Sequence, residues 1–221
     1  FKLIPFNWDQ TNSQTYNYRT QVTIPSANAT TIIPPTVTTS SVIVNISSTG
    51  ADVEGEITAL NGTNATTRGI CYKIYAAGNP TTTDSVRFQT GSFGLATFSR
   101  TLTGLAPQTR YKARAYAINS AGTGYGSVSY DFYTFSTEPA AHAASFTATT
   151  ISTSQIDLSF SAASTITNAL GYLVIMKQGS APSGTPTDGF AYSSGNTFGD
   201  ATVVAYINSN SVTTASINGL N

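Results

Sequence analysis

LTGLAPQTRYKARAYAINSAG, residues 102–122, decides the fold class. It opens with a turn, Gly104 to Pro107, in which a leucine precedes Ala-Pro. Tyr111, Ala113, Ala115 and Ala117 then alternate with Lys112, Arg114, Tyr116 and Ile118. Alternation of period two is the mark of a strand with its polar side chains on one face. The small alanines on the other face admit a closely packed neighbouring layer. Asn119 to Gly122 closes the strand, and a second β run, residues 125–135, follows almost at once. Turn, long strand, tight connection and second strand make a hairpin from an all-β domain.

Upstream of it come SVIVNIS (41–47), GEITAL (55–60), RGICYKIYA (68–76), SVRFQT (85–90) and LATFSRTL (95–102). Seven short strands at this spacing predict a two-sheet sandwich with Greek-key connections. Residues 36–137 therefore read as one complete domain, and no stretch carries a useful helical period. A Ser/Asn/Ala/Thr segment ending in Pro34-Pro35 (25–35) and a second short segment (138–144) read as linkers. Residues 145–221 begin another β domain: SFTATTIS (145–152), QIDLSFS (155–161), YLVIMKQG (172–179), TVVAYIN (202–208) and SVTTASINGL (211–220). A Gly/Ser/Pro-rich region, 180–200, separates the third of these from the fourth.

The two ends of the chain read as parts of one pattern. Gly219-Leu220-Asn221 repeats Gly104-Leu105-Ala106, after which the complete domain continues PQTRYK and ARAYAIN (113–119). FKLIPFN (1–7) fits ARAYAIN in pattern, length and final Asn. Residues 1–24, with the polar turn 8–14 and the second run TYNYRTQVTI (15–24), are thus expected to be the last two strands of a sandwich. The 145–221 domain is expected to lack those two. A lone hairpin is marginal in water, and a half-built sandwich leaves unpaired edges. Either the 221 residues are a window of a longer tandem array, or the N-terminal pair completes a neighbouring copy by strand complementation. Both predict an elongated, head-to-tail assembly with adjacent repeats or other copies as partners.

Composition removes whole classes of function. Ten basic and ten acidic residues give zero formal net charge, far from the basic field that nucleic-acid binding needs. No apolar run approaches the roughly 18 residues of a membrane-spanning helix. The 40% apolar content is too high for a disordered tail of such low charge. One cysteine, Cys71, excludes an intrachain disulfide. The polar surface has to be built from Thr, Ser, Asn and Gln, a composition expected of an extracellular or cell-surface protein.

TLTGLAPQTRYKARAYAINSAG (101–122), with its Leu-Pro turn, its Tyr111-x-x-Arg114 strand and its Asn-Ser-Ala-Gly ending, resembles the fibronectin type III modules found in tandem in bacterial exported and surface proteins. RGICYKI (68–74) and FYTF (132–135) fit the same pattern. Residues 171–204 resemble the long middle section of another module of this superfamily, and FKLIPFNWDQTNSQTYNY (1–18) resembles the end of that second type. A departure is the absence of Trp from the early strands of either domain. The resemblance implies tandem immunoglobulin-like sandwiches serving as spacers, adhesins or accessories of carbohydrate enzymes, and it implies no catalysis.

The residues that carry chemistry are sparse. A nucleophilic site needs a base within reach, and the only histidine, His142, falls in a linker. Cys71, between Ile70 and Tyr72, reads as a buried structural thiol. Asp52, Glu54 and Glu56 are the one local acidic group and the weak candidate for Ca²⁺, against a solvated edge that discourages strand pairing. Asn28, Asn45, Asn61 and Asn64 match the Asn-x-Ser/Thr acceptor pattern for glycosylation. Trp8 and Phe6 are candidates for a module junction or a ligand contact. The expectation is a non-catalytic structural repeat unit of an extracellular fibre or appendage. The alternatives are an adhesin or carbohydrate-binding segment, with glycans or a host surface as partners, and a phage fibre or decoration protein.

Overall fold

The computed structural model describes residues 2, 4–7, 10–11, 17–18, 27–163 and 169–220. All regular structure among them is β, and no helix is long and apolar enough to cross a membrane. A short hairpin, β1 (Phe6–Asn7) and β2 (Asn17–Tyr18), precedes the first sandwich. That sandwich contains β3 (Thr36–Val44), β4 (Gly50–Ala59), β5 (Ala65–Ile74), β6 (Ser85–Phe93), β7 (Ala96–Thr103), β8 (Arg110–Asn119), β9 (Gly122–Tyr125) and β10 (Tyr130–Tyr133). One sheet has the order β3-β4-β7; the other has β10-β8-β5-β6, with β9 also on β8.

Alternation drives the packing. Val53 and Ile57 of β4, Ile70 and Tyr72 of β5, Leu102 of β7 and Ala113, Ala115 and Ala117 of β8 form the buried core between the sheets. The alanines do bring the layers close: a Cβ added at Gly55 would lie 2.4 Å from Ala115 Cβ. The turn before β8 is clamped by Tyr111, whose hydroxyl accepts a hydrogen bond from the Ala106 amide at 2.9 Å. This is the tyrosine corner of immunoglobulin-like sandwiches.

The run 125–135 reads in the sequence as one strand and is split in two. β3 crosses over beside it, bridging Val37 to Gly126 in parallel, and a side chain at Gly126 would meet Thr39 Oγ1 at 2.2 Å. On the outer face of the second sheet, Cys71 and Tyr116 are buried beside Tyr125, whose hydroxyl lies 2.9 Å from Thr82 Oγ1 and ties the 79–84 loop down. The last residues of the segment read as a linker are also held: Ile33 N donates to Asn61 O, and Pro35 is buried against Gly124.

The second unit contains β11 (Ala144–Ser152), β12 (Gln155–Ser161), β13 (Tyr172–Met176), β14 (Thr197–Phe198), β15 (Ala201–Ile207) and β16 (Thr214–Asn218). Its sheets are β11-β12-β16 and β13-β15-β14. The pairings β11–β12, β12–β16 and β13–β15 repeat β3–β4, β4–β7 and β5–β6. Even the final turn repeats. Leu105 N donates to Thr49 O at 3.0 Å and Leu220 N to Ser154 O at 3.1 Å. Each follows a glycine in the left-handed region, Gly104 at φ 72° and Gly219 at φ 71°.

Candidate functional site

The site follows from what β13 lacks. β5 is hydrogen-bonded to β6 on one edge and to β8 on the other, in an unbroken register from Thr67↔Ile118 to Ile74↔Tyr111. β13 corresponds to β5, glycine for glycine. A Cβ at Gly69 would strike Arg87 O at 2.5 Å, and one at Gly171 would strike Ile207 O at 2.2 Å. Among the described residues, β13 pairs only with β15, so the edge that β8 occupies on β5 has no partner. Gly69, Ile70, Cys71 and Tyr72 are all buried, while none of the five residues of β13 is.

Where β8 would lie, the unit is open to its core. A groove of ≈ 320 Å³ is lined by Phe146, Phe160, Tyr172 and Val174, and an adjoining one of ≈ 180 Å³ by Ile156, Leu158, Val174 and Ile217. Phe146 is 61% exposed, and every residue of β11 is exposed. The walls are nevertheless well made. Phe160 meets Tyr172 edge to face at 4.7 Å, and the Tyr172 hydroxyl accepts from Ala163 N at 2.8 Å. The aromatic has changed strand between the units: Gly55 of β4 faces Phe98 of β7, whereas Phe160 of β12 lies beside Thr213. Large and small have been exchanged across neighbouring strands, which conserves core volume.

Opposite the groove in sequence lies the N-terminal hairpin. Its described register is Phe6↔Tyr18 and Asn7↔Asn17, with the Phe6 and Tyr18 rings 5.7 Å apart. Ile4, Phe6 and Tyr18 are exposed. Phe6 thus presents an exposed ring on this hairpin; Trp8 lies outside the described residues.

The remaining candidates are scattered. Asp52, Glu54 and Glu56 follow one another along one face of β4; Asp52 accepts from Asn45 Nδ2 at 2.7 Å, which holds its carboxyl below the ordinary range. Among the described residues no group of three His, Cys, Asp or Glu side chains is placed to hold a metal ion. The amide nitrogens of Asn45, Asn61 and Asn64 donate to Asp52, to Pro34 O and Thr36 Oγ1, and to Ser92 Oγ respectively. A sugar on Nδ2 leaves one N–H, so it would cost Asn61 one of its two bonds, whereas Asn45 and Asn64 donate one each and Asn28 lies in an exposed segment. Burial pushes the Cys71 thiol up to about 11, far from a reactive thiolate. His142 is exposed between the two units. Arg110 stacks 3.7 Å over the Tyr75 ring and 5.4 Å from Tyr133, and pairs with Asp131.

Sequence reasoning expected unpaired edges in residues 145–221 but singled out none of the side chains that line the groove.

No family model and no curated protein matches the chain. Among solved structures, the sensor domain of the anti-sigma factor RsgI4 in Pseudobacteroides cellulosolvens is similar at 19% identity, covering 48% of this chain and 100% of that one, with a TM-score of 0.37. The third fibronectin III domain of human KIAA0343 protein is similar at 19% identity, covering 53% of this chain and 97% of that one, with a TM-score of 0.35. These values carry no functional argument. On its own strand order and core, the chain is an all-β protein of immunoglobulin-like, fibronectin type III-like sandwich fold.

Proposed function

We propose that this chain is a structural repeat unit of an extracellular fibre or surface appendage, assembling head to tail. The observation that carries the proposal is that, among the described residues, β13 pairs on one edge only beside an apolar groove, while a hairpin with exposed Phe6 and Tyr18 rings precedes the closed sandwich. The closed sandwich between them is a rigid spacer, its backbone groups paired internally and its entry strand pinned through Ile33 and Pro35. A chain with only 9% charged residues and zero formal net charge lets copies lie close without repulsion. In this reading the role is mechanical, and the sandwich contributes geometry and stiffness to it.

A glycan-binding reading draws on the exposed rings of Tyr75 and Tyr133, but Arg110 already lies over Tyr75, so a sugar would have to displace a guanidinium. Electron microscopy and sedimentation of the 221-residue chain test the fibre reading. Filaments of indefinite length that grow with concentration are expected. A chain that stays monomeric at high concentration, or one that binds glycans without assembling, counts against it.

A further inference from the structure

Two arginines occupy core-facing positions of the closed sandwich. Period two puts Arg68 on the face of β5 that carries Ile70 and Tyr72, and Arg100 between Phe98 and Leu102 on β7. Both point to the rim where the sheets end, since β7 is the last strand of one sheet and β6, beside β5, the last of the other. The Arg68 guanidinium is held 4.3 Å over the Phe93 ring and 5.2 Å from that of Phe98. Gln89 of β6 stands between the two arginines: its Oε1 accepts from Arg68 Nη2 at 3.5 Å and from Arg100 Nη2. Two residues earlier on β6, Arg87 crosses to β7 and donates to Thr103 Oγ1 at 2.9 Å.

Three of the chain's six arginines thus gather at one rim of a protein with only 9% charged residues. Among the described residues no carboxylate pairs with them. Asp52, Glu54 and Glu56 of β4 alternate with the inward Ala51, Val53 and Ile57, so they face the other side of their sheet. Arg68 Nε and Arg100 Nε are buried without a hydrogen-bond partner, and donors in that state are ordinarily met by water or an ion. Burial, and then the charge of Arg100, push the Arg68 guanidinium below its ordinary pKa. A neutral amide oxygen therefore occupies a position suited to a negative charge. Gln89 is exposed, so its amide is free to swing outward. We infer that Arg68 and Arg100, with Arg87 beside them, form an oxyanion-binding clamp, and that Gln89 Oε1 stands where one oxygen of the anion binds. The ligand class is a sulfate, phosphate or carboxylate group. The clamp belongs to the closed sandwich and does not depend on head-to-tail assembly. Inward-pointing charges at an edge also discourage pairing with another sheet; that role calls for no shared acceptor and gives no response to anions.

Sodium sulfate, phosphate and acetate, each exchanged for sodium chloride at constant ionic strength, test the clamp on the dispersed 221-residue chain. The Nε–H resonances of Arg68 and Arg100 are expected to shift to saturation, which a general salt effect on stability does not produce. The anion that saturates at the lowest concentration identifies the group. Gln89→Glu sets a carboxylate at the same place. It is expected to raise the melting temperature of the closed sandwich and to weaken the anion's apparent affinity at least about tenfold, since a like charge then meets the ligand. Arg100→Gln is expected to abolish the saturable shift at Arg68, and Arg110→Gln, whose partner is Asp131, to leave it unchanged. Because Gln89 is exposed, its variant tests the clamp even if Arg100→Gln does not fold. Shifts that never saturate, unchanged affinity or no higher melting in Gln89→Glu, or equal losses from Arg100→Gln and Arg110→Gln would each overturn the inference.

Discussion

β5 and β13 share one instruction, a glycine (Gly69, Gly171) followed by a run of apolar residues, and reach different states. Ile70 and Cys71 of β5 are fully buried between β6 and β8; Tyr172, Leu173, Val174 and Ile175 of β13 are only half-buried and Met176 is exposed. The difference is not in their own sequences, since both are apolar enough for an interior. It lies in the neighbour on one edge. Burial of a strand depends on the sheet that holds it, and among the described residues β13 is paired on one edge only.

The sharpest way to break this comparison is to truncate the same kind of residue in both strands. Ile70→Ala is expected to cost about 2–5 kcal/mol in the unfolding of the closed sandwich, because it leaves a cavity in a fully packed core. Val174→Ala in the dispersed chain is expected to cost about 1 kcal/mol or less, rising once the chain assembles. Denaturant melts with separate probes for the two units measure both; equal losses in the dispersed chain would mean that β13 is already covered.

Next in size is the close approach of the sheets. Gly55→Ala puts a methyl group 2.4 Å from Ala115 Cβ and is expected to destabilise the closed unit by about 1–3 kcal/mol, read from its melting curve. The open unit carries Phe160 at this place, so it has no such limit. Tyr111→Phe removes the hydroxyl that holds Ala106 N and is expected to cost about 1 kcal/mol, seen as faster exchange of that amide.

The smallest effect concerns the 180–200 segment. Lys177, together with the Ser183 amide and hydroxyl, holds the Asp200 carboxyl well below the usual carboxylate range. A lowered folded-state value gives stability that is present above the ordinary carboxylate range and is lost as pH falls through the lowered value. Asp200→Asn should therefore speed proteolysis of residues 180–200 at neutral pH and remove its acid dependence, with the closed unit unchanged.

The sequence was most legible where its signals are local. Period two over residues 111–118, bracketed by a Gly-Leu-Ala-Pro turn and Asn-Ser-Ala-Gly, located β8, and the second Gly-Leu turn is made with the same hydrogen bond as the first. β4 was harder. It starts at Gly50 rather than Gly55, because Asp52 and Glu54 on its outer face obscure the inward set Ala51, Val53 and Ile57. β14, two residues inside a Gly/Ser/Pro stretch, has no propensity of its own and exists through its pairing with β15. The glycosylation pattern at Asn61 is plain in the sequence, but the partner of its amide is Pro34 O, 27 residues away. The lining of the groove was least visible, since its side chains come from β11, β12 and β13 and meet only once those strands are packed.

Amide hydrogen exchange along β13 is the most direct measurement, made on the dispersed chain and on the assembled material. The amides of residues 172–175 that point away from β15 should exchange fast in the dispersed chain and become protected on assembly, while β5 stays protected in both. Protection of that edge in the dispersed chain, or fast exchange there within assembled fibres, would contradict head-to-tail assembly through this edge.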